Sequence, residues 1–471
     1  MASAITAPTY DPTTTASALA DKSVTALDAK IKAQTTANAA VAKGLSTLNS
    51  AISSFQTSLA SLTGLGKTLL AASATLSDTT IGTASAKSQA ASGSYTVFVK
   101  QVASASQVSY NSVADGTAVP GGTLTLKLAD ESGNPDAPDP ITFDVDLSAA
   151  ADTNNDGQLS VRELAAAING AANNKGQVSA GIITIDGQAR LVLTSKNTGA
   201  ANTISLDTAN LSDSTLADSL ATRSMVTEAK DAIVMLGGEN GTAIQQSSNT
   251  FTNIDGVSLT VTRAQSSGAT PVTLTVGSND SGTTANVQAF VDAYNKLKNT
   301  LNGLLASGDA SAGTAAGAFA QDSGVTALQN RLIAILRPVG SSSLAAYGIT
   351  ANRDGTLSLD SGRLTKQLAI DPDGLQKLVG SSASATPSGI AGALDTYLDV
   401  WTNSTNGQIK TRTDANTKAS TATTDLQTRR DDSWNSAYAR YLKQFTELQT
   451  LQATMTNNLS LFDALFSSSD S

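Results

Sequence analysis

The sequence contains no cysteine and no histidine among its 471 residues. Without cysteine there is no disulfide scaffold and no thiolate metal site. Without histidine there is no imidazole ligand and no histidine-activated nucleophile. The many serines and threonines are not set in a GxSxG elbow or a P-loop. The sequence therefore predicts a protein that is not an enzyme and that requires no cofactor.

Long apolar runs and basic clusters are also missing. No stretch approaches ~18 consecutive apolar residues, which predicts that there is no membrane span. The formal net charge is −9 and no basic run is longer than the pair Arg429 and Arg430, which argues against a nucleic-acid partner. The first residues lack the basic and apolar regions of a Sec signal peptide. This pattern suits a bacterial protein that leaves the cell without a cleaved signal.

Near its start the chain carries a long series of apolar residues at alternating spacings of three and four. No proline interrupts the series, and Gly64 and Gly66 end it. The spacing predicts a coiled-coil seam about 60 Å long, at 1.5 Å per residue. The apolar positions of this N-terminal seam are Val24, Leu27, Ile31, Val41, Leu45, Leu48, Ile52, Phe55, Leu59 and Leu62.

The C-terminal end carries a second series with the same alternation. Two interpretations remain open for both series. Each is an amphipathic helix on a globular core, or the two chain ends pair with each other or with neighbouring subunits. In the second interpretation the polar seam residues Gln34, Asn38 and Gln452 determine the register. The apolar positions of this C-terminal seam are Tyr438, Tyr441, Phe445, Leu448, Met455, Leu459 and Phe462.

The central part of the chain has a different character. Between residues 93 and 280, β-branched residues alternate in short runs such as GTLTLKL and GVSLTVT, separated by Gly, Asn and Asp, which predicts strands. The helical period then returns, at Val287, Phe290, Val291 and Tyr294. The predicted fold class is α+β and multidomain, with terminal coiled-coil helices and a helical leg domain flanking an inserted β-rich head of one or two subdomains.

The predicted domain boundaries follow from these changes of pattern. The two chain ends are expected to meet in space, with the head inserted between them. The predicted parts are an N-terminal coiled-coil leg at 1–66, a connector into the head at 67–92, the β-rich head at 93–280, a helical leg domain at 281–385 with a β-hairpin near 349–359, and C-terminal helices with a coiled coil at 386–471.

One stretch of the head, DTNNDGQLSVRE at residues 152–163, has the spacing of an EF-hand calcium loop. Oxygen donors stand at every ligand position of the pattern, and a glycine stands at its sharp turn. A strand-like run precedes the loop, whereas an EF-hand has helices on both sides. The alternative is therefore a solvated loop that ends in a capping box. The predicted ligands of a structural calcium ion are Asp152, Asn154, Asp156, the Gln158 carbonyl, Ser160 and Glu163.

Five segments of the chain together carry a resemblance to one known family. The segments are SGSYTVFVKQVASASQ at 92–107, the segment beginning LAAAINGAANNKG at 164–206, SNTFTNIDGVSLTV at 248–261, the segment beginning LAAYGITANRDGTLSLD at 344–380, and RYLKQFTELQTLQATMTNNLSLFDALF at 440–466. In these segments the chain resembles the flagellar hook-associated protein 2 family, whose members cap the bacterial flagellar filament. The order and spacing of the segments match the family along most of the chain, although the opening APTYDPTTTASALADKSV departs from the family's usual glycine-rich start.

The resemblance implies a homo-oligomeric ring of several subunits at the distal tip of the flagellum, which retains exported flagellin and promotes its folding and insertion into the growing filament. It implies flagellin, hook-filament junction proteins and a flagellar export chaperone as partners, and secretion by the flagellar type III route. Contact with host surfaces as an adhesin is a further expectation. The alternatives are a simple surface adhesin and a flagellin or hook-filament junction protein; the segment GITANRDGTLSLD favours the cap.

Overall fold

The chain forms two compact units. Unit 1 brings together the two chain ends, Met1–Leu69 and Thr284–Ser471, and unit 2 is Leu70–Thr283. Helices dominate unit 1 and antiparallel sheets dominate unit 2, which confirms the predicted α+β fold class. The structure is a computed structural model that describes residues 10–110, 113, 118–133, 135–309, 311–337 and 343–467.

The helices differ greatly in length. In the described part of the chain, none combines the length and the hydropathy that a membrane span requires. Two short 3-10 helices lie at Ala149–Ala151 and Ala200–Asn202. The α-helices are α1 (Pro12–Thr63), α2 (Val161–Gly170), α3 (Ser214–Ala221), α4 (Asp280–Leu305), α5 (Ser323–Ile335), α6 (Ser361–Ile370), α7 (Gly374–Val379), α8 (Gly389–Thr402) and α9 (Gln408–Ser467).

Helix α1 has clear local signals at both ends. At its start, the Asp11 carboxylate accepts hydrogen bonds from the backbone N–H groups of Thr13 (3.2 Å) and Thr14 (3.1 Å), and Pro12 occupies the first helical position. At its end, the N–H of Gly64 donates to the carbonyl of Ala60 (2.9 Å). These caps satisfy backbone groups at both ends of the 52-residue helix that have no partner within it.

Unit 1 is built around the pairing of α1 with α9. As residue numbers rise along α1, their partners fall along α9, so the two helices are antiparallel. Helix α8 packs against both of them. The core of the unit contains fully buried aromatic rings, among them Phe55 of α1 and Tyr294 of α4. The two chain ends therefore form one helical unit with a common core.

The strands in the described residues are β1 (Ala72–Leu76), β2 (Gly82–Ala86), β3 (Gly93–Gln101), β4 (Ala105–Tyr110), β5 (Thr123–Ala129), β6 (Ile141–Asp146), β7 (Val178–Ile185), β8 (Gln188–Thr198), β9 (Thr203–Asp207), β10 (Ser224–Thr227), β11 (Ala232–Leu236), β12 (Thr242–Gln246), β13 (Thr250–Phe251), β14 (Val257–Val261), β15 (Val272–Ser278), β16 (Ile349–Ala351) and β17 (Leu357–Leu359). Those of unit 2 form four antiparallel sheets, with the strand orders β1-β15-β3-β11-β12, β10-β4-β8-β7, β13-β14-β2 and β6-β5-β9. Strands β16 and β17 form a separate hairpin in unit 1.

The described residues of unit 2 form two hydrophobic cores. The first joins the five-stranded sheet to the sheet β13-β14-β2, with residues such as Val97, Leu259 and Leu274. The second joins the sheets β10-β4-β8-β7 and β6-β5-β9 to α2 and α3, with residues such as Leu126 and Leu193. In strands such as β5 and β14, alternate residues are buried and supply one face to these cores, as the period of two requires.

The segment at 67–92, predicted as a connector into the head, contains strands β1 and β2. Strand β1 pairs with β15 along its whole length, and β2 pairs with β14. Both strands consist largely of Ala, Ser, Thr and Gly, so they lack the alternation of bulky and polar residues that identifies a strand. Their pairing with distant strands determines the local structure.

Candidate functional surfaces

The predicted N-terminal seam lies along the inward face of α1. A buried stripe on one side of a helix is what a period near 3.6 produces. Near the middle of the stripe stand the half-buried Gln34 and Asn38, and within the described residues the Gln34 side-chain oxygen has no hydrogen-bond partner. The apolar seam positions are buried at Val24, Ile31, Leu45, Leu48, Ile52, Phe55 and Leu59 and half-buried at Leu27, Val41 and Leu62.

Polar contacts join α1 to the first half of α9. The Arg430 guanidinium binds the Asp28 carboxylate through two N–O contacts of 2.7 and 3.2 Å, and this hydrogen-bonded cation lowers the pKa of Asp28. The indole N–H of Trp434 donates to Asp21 (2.7 Å). Such solvent-exposed pairs contribute little to stability, because water screens the charges. The contacts therefore set the register of the two helices more than they stabilise the pair.

Further polar contacts lie at the middle of the same interface. The Asn38 side-chain amide donates to the Thr423 hydroxyl (3.2 Å), and the Asn416 amide donates to the Asn38 carbonyl (3.1 Å). This part of α9 was not predicted as a seam, because its inward face is not a continuous apolar series. The sequence nevertheless contains a seven-residue repeat that is typical of a coiled coil. Its inward-facing residues are Ile409, Asn416, Thr423, Arg430 and Ala437.

The predicted C-terminal seam changes its environment along α9. Tyr438, Tyr441 and Phe445 are half-buried, and the Tyr10 ring meets the Phe445 ring edge-on at a centroid distance of 5.6 Å. Beyond Phe445 the seam faces solvent in the described part of the chain, although Gln452 is half-buried. The exposed fractions are 41% at Leu448, 57% at Met455, 61% at Leu459 and 58% at Phe462.

The loop at 152–163 folds around its first carboxylate. Asp152 is buried and accepts hydrogen bonds from the backbone N–H groups of Asp156 (3.3 Å) and Gly157 (2.8 Å). Gly157 has a φ of +80°, which a glycine adopts without strain. The next apolar residue, Leu159, is buried, and its N–H donates to the carbonyl of Ala118 (2.7 Å). The loop is thus anchored at both its acidic start and its apolar end.

The last carboxylate of the loop closes it on the other side. One oxygen of Glu163 accepts from the Thr153 N–H (2.8 Å) and the Asn154 N–H (3.2 Å). The other accepts from the N–H (3.0 Å) and hydroxyl (2.8 Å) of Ser160, whose hydroxyl in turn accepts from the Glu163 N–H. This is the capping box that the sequence offered as the alternative, and it starts α2.

The predicted calcium ligands are close in sequence but largely occupied by the loop's own hydrogen bonds. Asn154 accepts from the Asp156 N–H (3.0 Å), and Asp156 accepts from the Gln158 N–H (2.8 Å). Among the residues that the structure describes, no group of three or more acidic side chains converges closely enough to hold a metal ion. Calcium binding would require some of these oxygens to add or exchange a ligand, so the calcium site stays a prediction.

Calcium is expected to raise the melting temperature of the chain if the loop binds it. A weak extracellular type of site, with a Kd of about 0.1–1 mM, would add about 1–3 kcal/mol at 10 mM calcium. Asp156→Ala is expected to abolish the effect. Gln158→Ala is the matched control and is expected to retain it, because position 158 would contribute its backbone carbonyl. Equal melting of the native chain with calcium and with chelator would refute the prediction.

The hydrogen bonds to Glu163 also predict a pH dependence. Donation from the Ser160 N–H, then from the Ser160 and Thr153 hydroxyls, lowers the pKa of Glu163 from 4.5 to about 2. A lowered folded-state pKa adds stability above pH 4.5 that is lost as the pH falls toward 2. In chelator, the melting temperature of Glu163→Gln is therefore expected to lie furthest below that of the native chain near neutral pH and to converge with it near pH 2. Parallel curves would contradict this.

Two protein-family models match the chain. The model described as Flagellar hook-associated protein 2 N-terminus matches residues 9–106, and the model described as Flagellar hook-associated protein 2 C-terminus matches residues 229–457. Together the two matches span more than half of the sequence, and they cover parts of both compact units.

Individual relatives match over most of their own length. The chain is 32% identical over 378 residues to the lateral flagellar hook-associated protein 2 of Vibrio parahaemolyticus, covering 79% of this chain and 81% of the relative. It is 30% identical over 389 residues to the flagellar hook-associated protein 2 of Escherichia coli K12, covering 80% and 79%. The crystal structure of the D1-D2-D3 domains of the flagellar cap protein FliD from Escherichia coli matches with a TM-score of 0.58 and 27% identity, covering 79% of this chain and 99% of that chain.

Proposed function

Because this chain belongs to the flagellar hook-associated protein 2 family, we propose that it forms a cap at the distal end of the bacterial flagellar filament. The observation that carries the proposal is the match to the FliD cap structure, which includes nearly all of that structure's D1-D2-D3 domains. In this role the chain retains exported flagellin and promotes its folding and insertion into the filament. The family match favours the cap over a simple adhesin and over a flagellin or junction protein.

The helical unit has properties that suit a cap. A cap has to release and re-form contacts each time a subunit is added beneath it, so each interface has to be weak. The last part of α9 presents Leu448, Met455 and Leu459 to solvent, and such an apolar stripe can pack against neighbouring helices. We propose that this stripe contributes to a ring of several copies. Mid-seam polar residues such as Asn38 keep the α1–α9 pair in one register while those contacts change.

We propose flagellin, the hook-filament junction proteins and a flagellar export chaperone as the partners of the chain. The chain reaches the filament tip by the flagellar type III route. These features come from the resemblance to the family, and the chain's role is structural rather than enzymatic.

The proposal is tested by deleting the gene and restoring it on a plasmid. We expect the deletion strain to release monomeric flagellin into the medium and to build no filaments. The native gene is expected to restore filaments. Electron microscopy of the cells and the amount of soluble flagellin in the medium are the two measurements. Filaments of normal length in the deletion strain would show that this chain is not the cap.

A further inference from the structure

Strand β7 lies at an edge of the sheet β10-β4-β8-β7. The outward-facing backbone groups of its two halves differ in whether they are hydrogen-bonded. In the half nearer its start, side-chain amides take the place of a neighbouring strand. Asn174 exchanges hydrogen bonds with the N–H (2.9 Å) and carbonyl (2.8 Å) of Val178. Asn169 does the same with the N–H and carbonyl of Ala180, both at 2.9 Å. The outward backbone groups of this half are therefore already satisfied.

The other half of β7, residues 181–185, has no such cover. In an antiparallel ladder, alternate residues point their backbone groups at the same neighbour. Val178 and Ala180 point away from β8, and the register to β8 continues without a shift, so Ile182 and Thr184 also point away. Within the described residues, the N–H and carbonyl groups of these two residues have no hydrogen-bond partner. We call residues 181–185 the open edge.

The open edge faces a groove of about 510 Å³. Ile182 and Thr184 lie along one wall, and Val161 and Arg162 of α2 lie along another. Arg162 is the one charged residue among the described lining residues. The groove is therefore lined by one positively charged residue together with the two residues whose outward backbone groups are unpaired, which suits an extended segment carrying an acidic side chain.

The open edge also lacks the features that normally prevent strand addition. Natural edge strands are usually protected by proline, lysine, an inward charge or a bulge. The sequence of β7, VSAGIITI, contains no proline and no charged residue, and its pairing with β8 shows no bulge. Ile183 and Ile185 are 48% and 43% exposed on the outer face of the sheet. An added strand would cover these two side chains as well as the backbone groups.

We propose that the open edge binds an extended segment of flagellin as an additional strand, an inference that rests on the proposed cap function. An added strand is bound mainly through hydrogen bonds to its backbone. This mode of binding therefore suits a chain that arrives unfolded and has no folded surface. Arg162 favours a segment with an acidic residue. Once the flagellin folds, it withdraws its backbone into its own structure and leaves the edge open again.

The size of the open edge favours this occupant over a second copy of the chain. A stable protein interface uses about 20–30 residues on each side. The open edge supplies five residues, so it can form a short, reversible contact but is too small to hold a permanent dimer by itself. Pairing between copies remains an outcome that the experiment detects.

Hydrogen–deuterium exchange on the full-length protein tests the binding step. The probe is the flagellin of the same bacterium, diluted from denaturant immediately before mixing. We expect the amides of Ile182 and Thr184 to exchange about tenfold more slowly in the presence of flagellin, because both become hydrogen-bonded. Unchanged exchange at these amides would overturn the proposal. Slow exchange that depends on the concentration of the protein without flagellin would also overturn it, in favour of pairing between copies.

Two variants block the open edge by different means. Thr184→Pro removes one outward N–H and leaves the ladder to β8 intact, since edge strands tolerate proline at such positions. Ile183→Lys with Ile185→Lys places charges on the exposed positions. Thr184→Val is the matched control, because it keeps the N–H. We expect both blocking variants to melt as the native chain does and to lose the flagellin-dependent protection, and the control to keep it.

Complementation of the deletion strain separates this inference from the cap proposal. If the native gene restores filaments and the blocking variants release several times more soluble flagellin, both proposals stand. If the blocking variants restore filaments without increased release, the open-edge proposal fails and the cap proposal stands. If the native gene itself has no effect on filaments or on release, the cap proposal fails. The hydrogen–deuterium exchange experiment with purified protein then tests separately whether flagellin binds at the open edge.

Discussion

Replacing Phe55 by Ala is expected to lower the free energy of unfolding of the helical unit by about 3–5 kcal/mol. The ring lies on α1, is 2% exposed and meets the Tyr294 ring of α4 edge-on, at a centroid distance of 6.4 Å and an interplanar angle of 73°. Its removal leaves a cavity and also forfeits an aromatic contact of about 0.5–1.5 kcal/mol. Urea unfolding followed by circular dichroism at the helix band measures the change.

Two further variants show whether the loss comes from burial of the ring. Phe55→Leu keeps most of the apolar volume and loses the edge-on contact, so it is expected to cost about 1–2 kcal/mol. Leu65→Ala, at a residue that is 85% exposed just after α1, is expected to change the stability by less than about 0.5 kcal/mol. Equal stability of Phe55→Ala and Leu65→Ala would show that Phe55 does not lie in a packed core.

The behaviour of the two long helices shows what apolar periodicity can and cannot reveal. Helix α1 was predictable because its inward face is apolar over most of its length, from Val24 to Leu59. The first half of α9 was not, because its inward face carries Asn416, Thr423 and Arg430. Polar residues can face a partner helix when each finds a hydrogen-bond partner there. The identity of such partners depends on the fold and cannot be read from one helix alone.

In unit 2, strands β1 and β2 and the loop at 152–163 also show what a sequence pattern alone cannot determine. Strands β1 and β2 form because β15 and β14 lie beside them, and their small side chains give no periodic signal. The loop at 152–163 was predicted both as a calcium site and as a capping box. The hydrogen bonds of Ser160 and Glu163 form the capping box. Both predictions use the oxygens of Ser160 and Glu163, so the spacing of the residues alone could not distinguish a calcium site from a capping box.

The open edge of β7 was beyond sequence reasoning for a different reason. The run GIITI predicts a strand, but whether a strand lies at an edge depends on the order of strands in the sheet. The residues that cover the first half, Asn169 and Asn174, lie outside the strand and are read as turn or helix-end residues. Their pairing with Val178 and Ala180 is a tertiary feature.

Gly380→Ala is expected to destabilise the helical unit by about 3 kcal/mol or more. Gly380 ends α7 with a φ of +72°, a conformation that costs a residue with a Cβ about 1–2 kcal/mol. An added Cβ would also lie 2.2 Å from the carbonyl oxygen of Ser388. That carbonyl accepts the Ser381 N–H (3.1 Å), so moving it would disturb the backbone pairing that precedes α8.

The same substitution at Gly303 is expected to have the opposite sign. Gly303 lies inside α4, has no positive φ, and an added Cβ there meets nothing within 4 Å. Alanine is the better helix former by about 0.5–1 kcal/mol, so Gly303→Ala is expected to raise the stability by up to that amount. Urea unfolding of the two variants beside the native chain decides the matter. If both variants changed stability in the same direction, backbone conformation and space at these two positions would not be the determining factors.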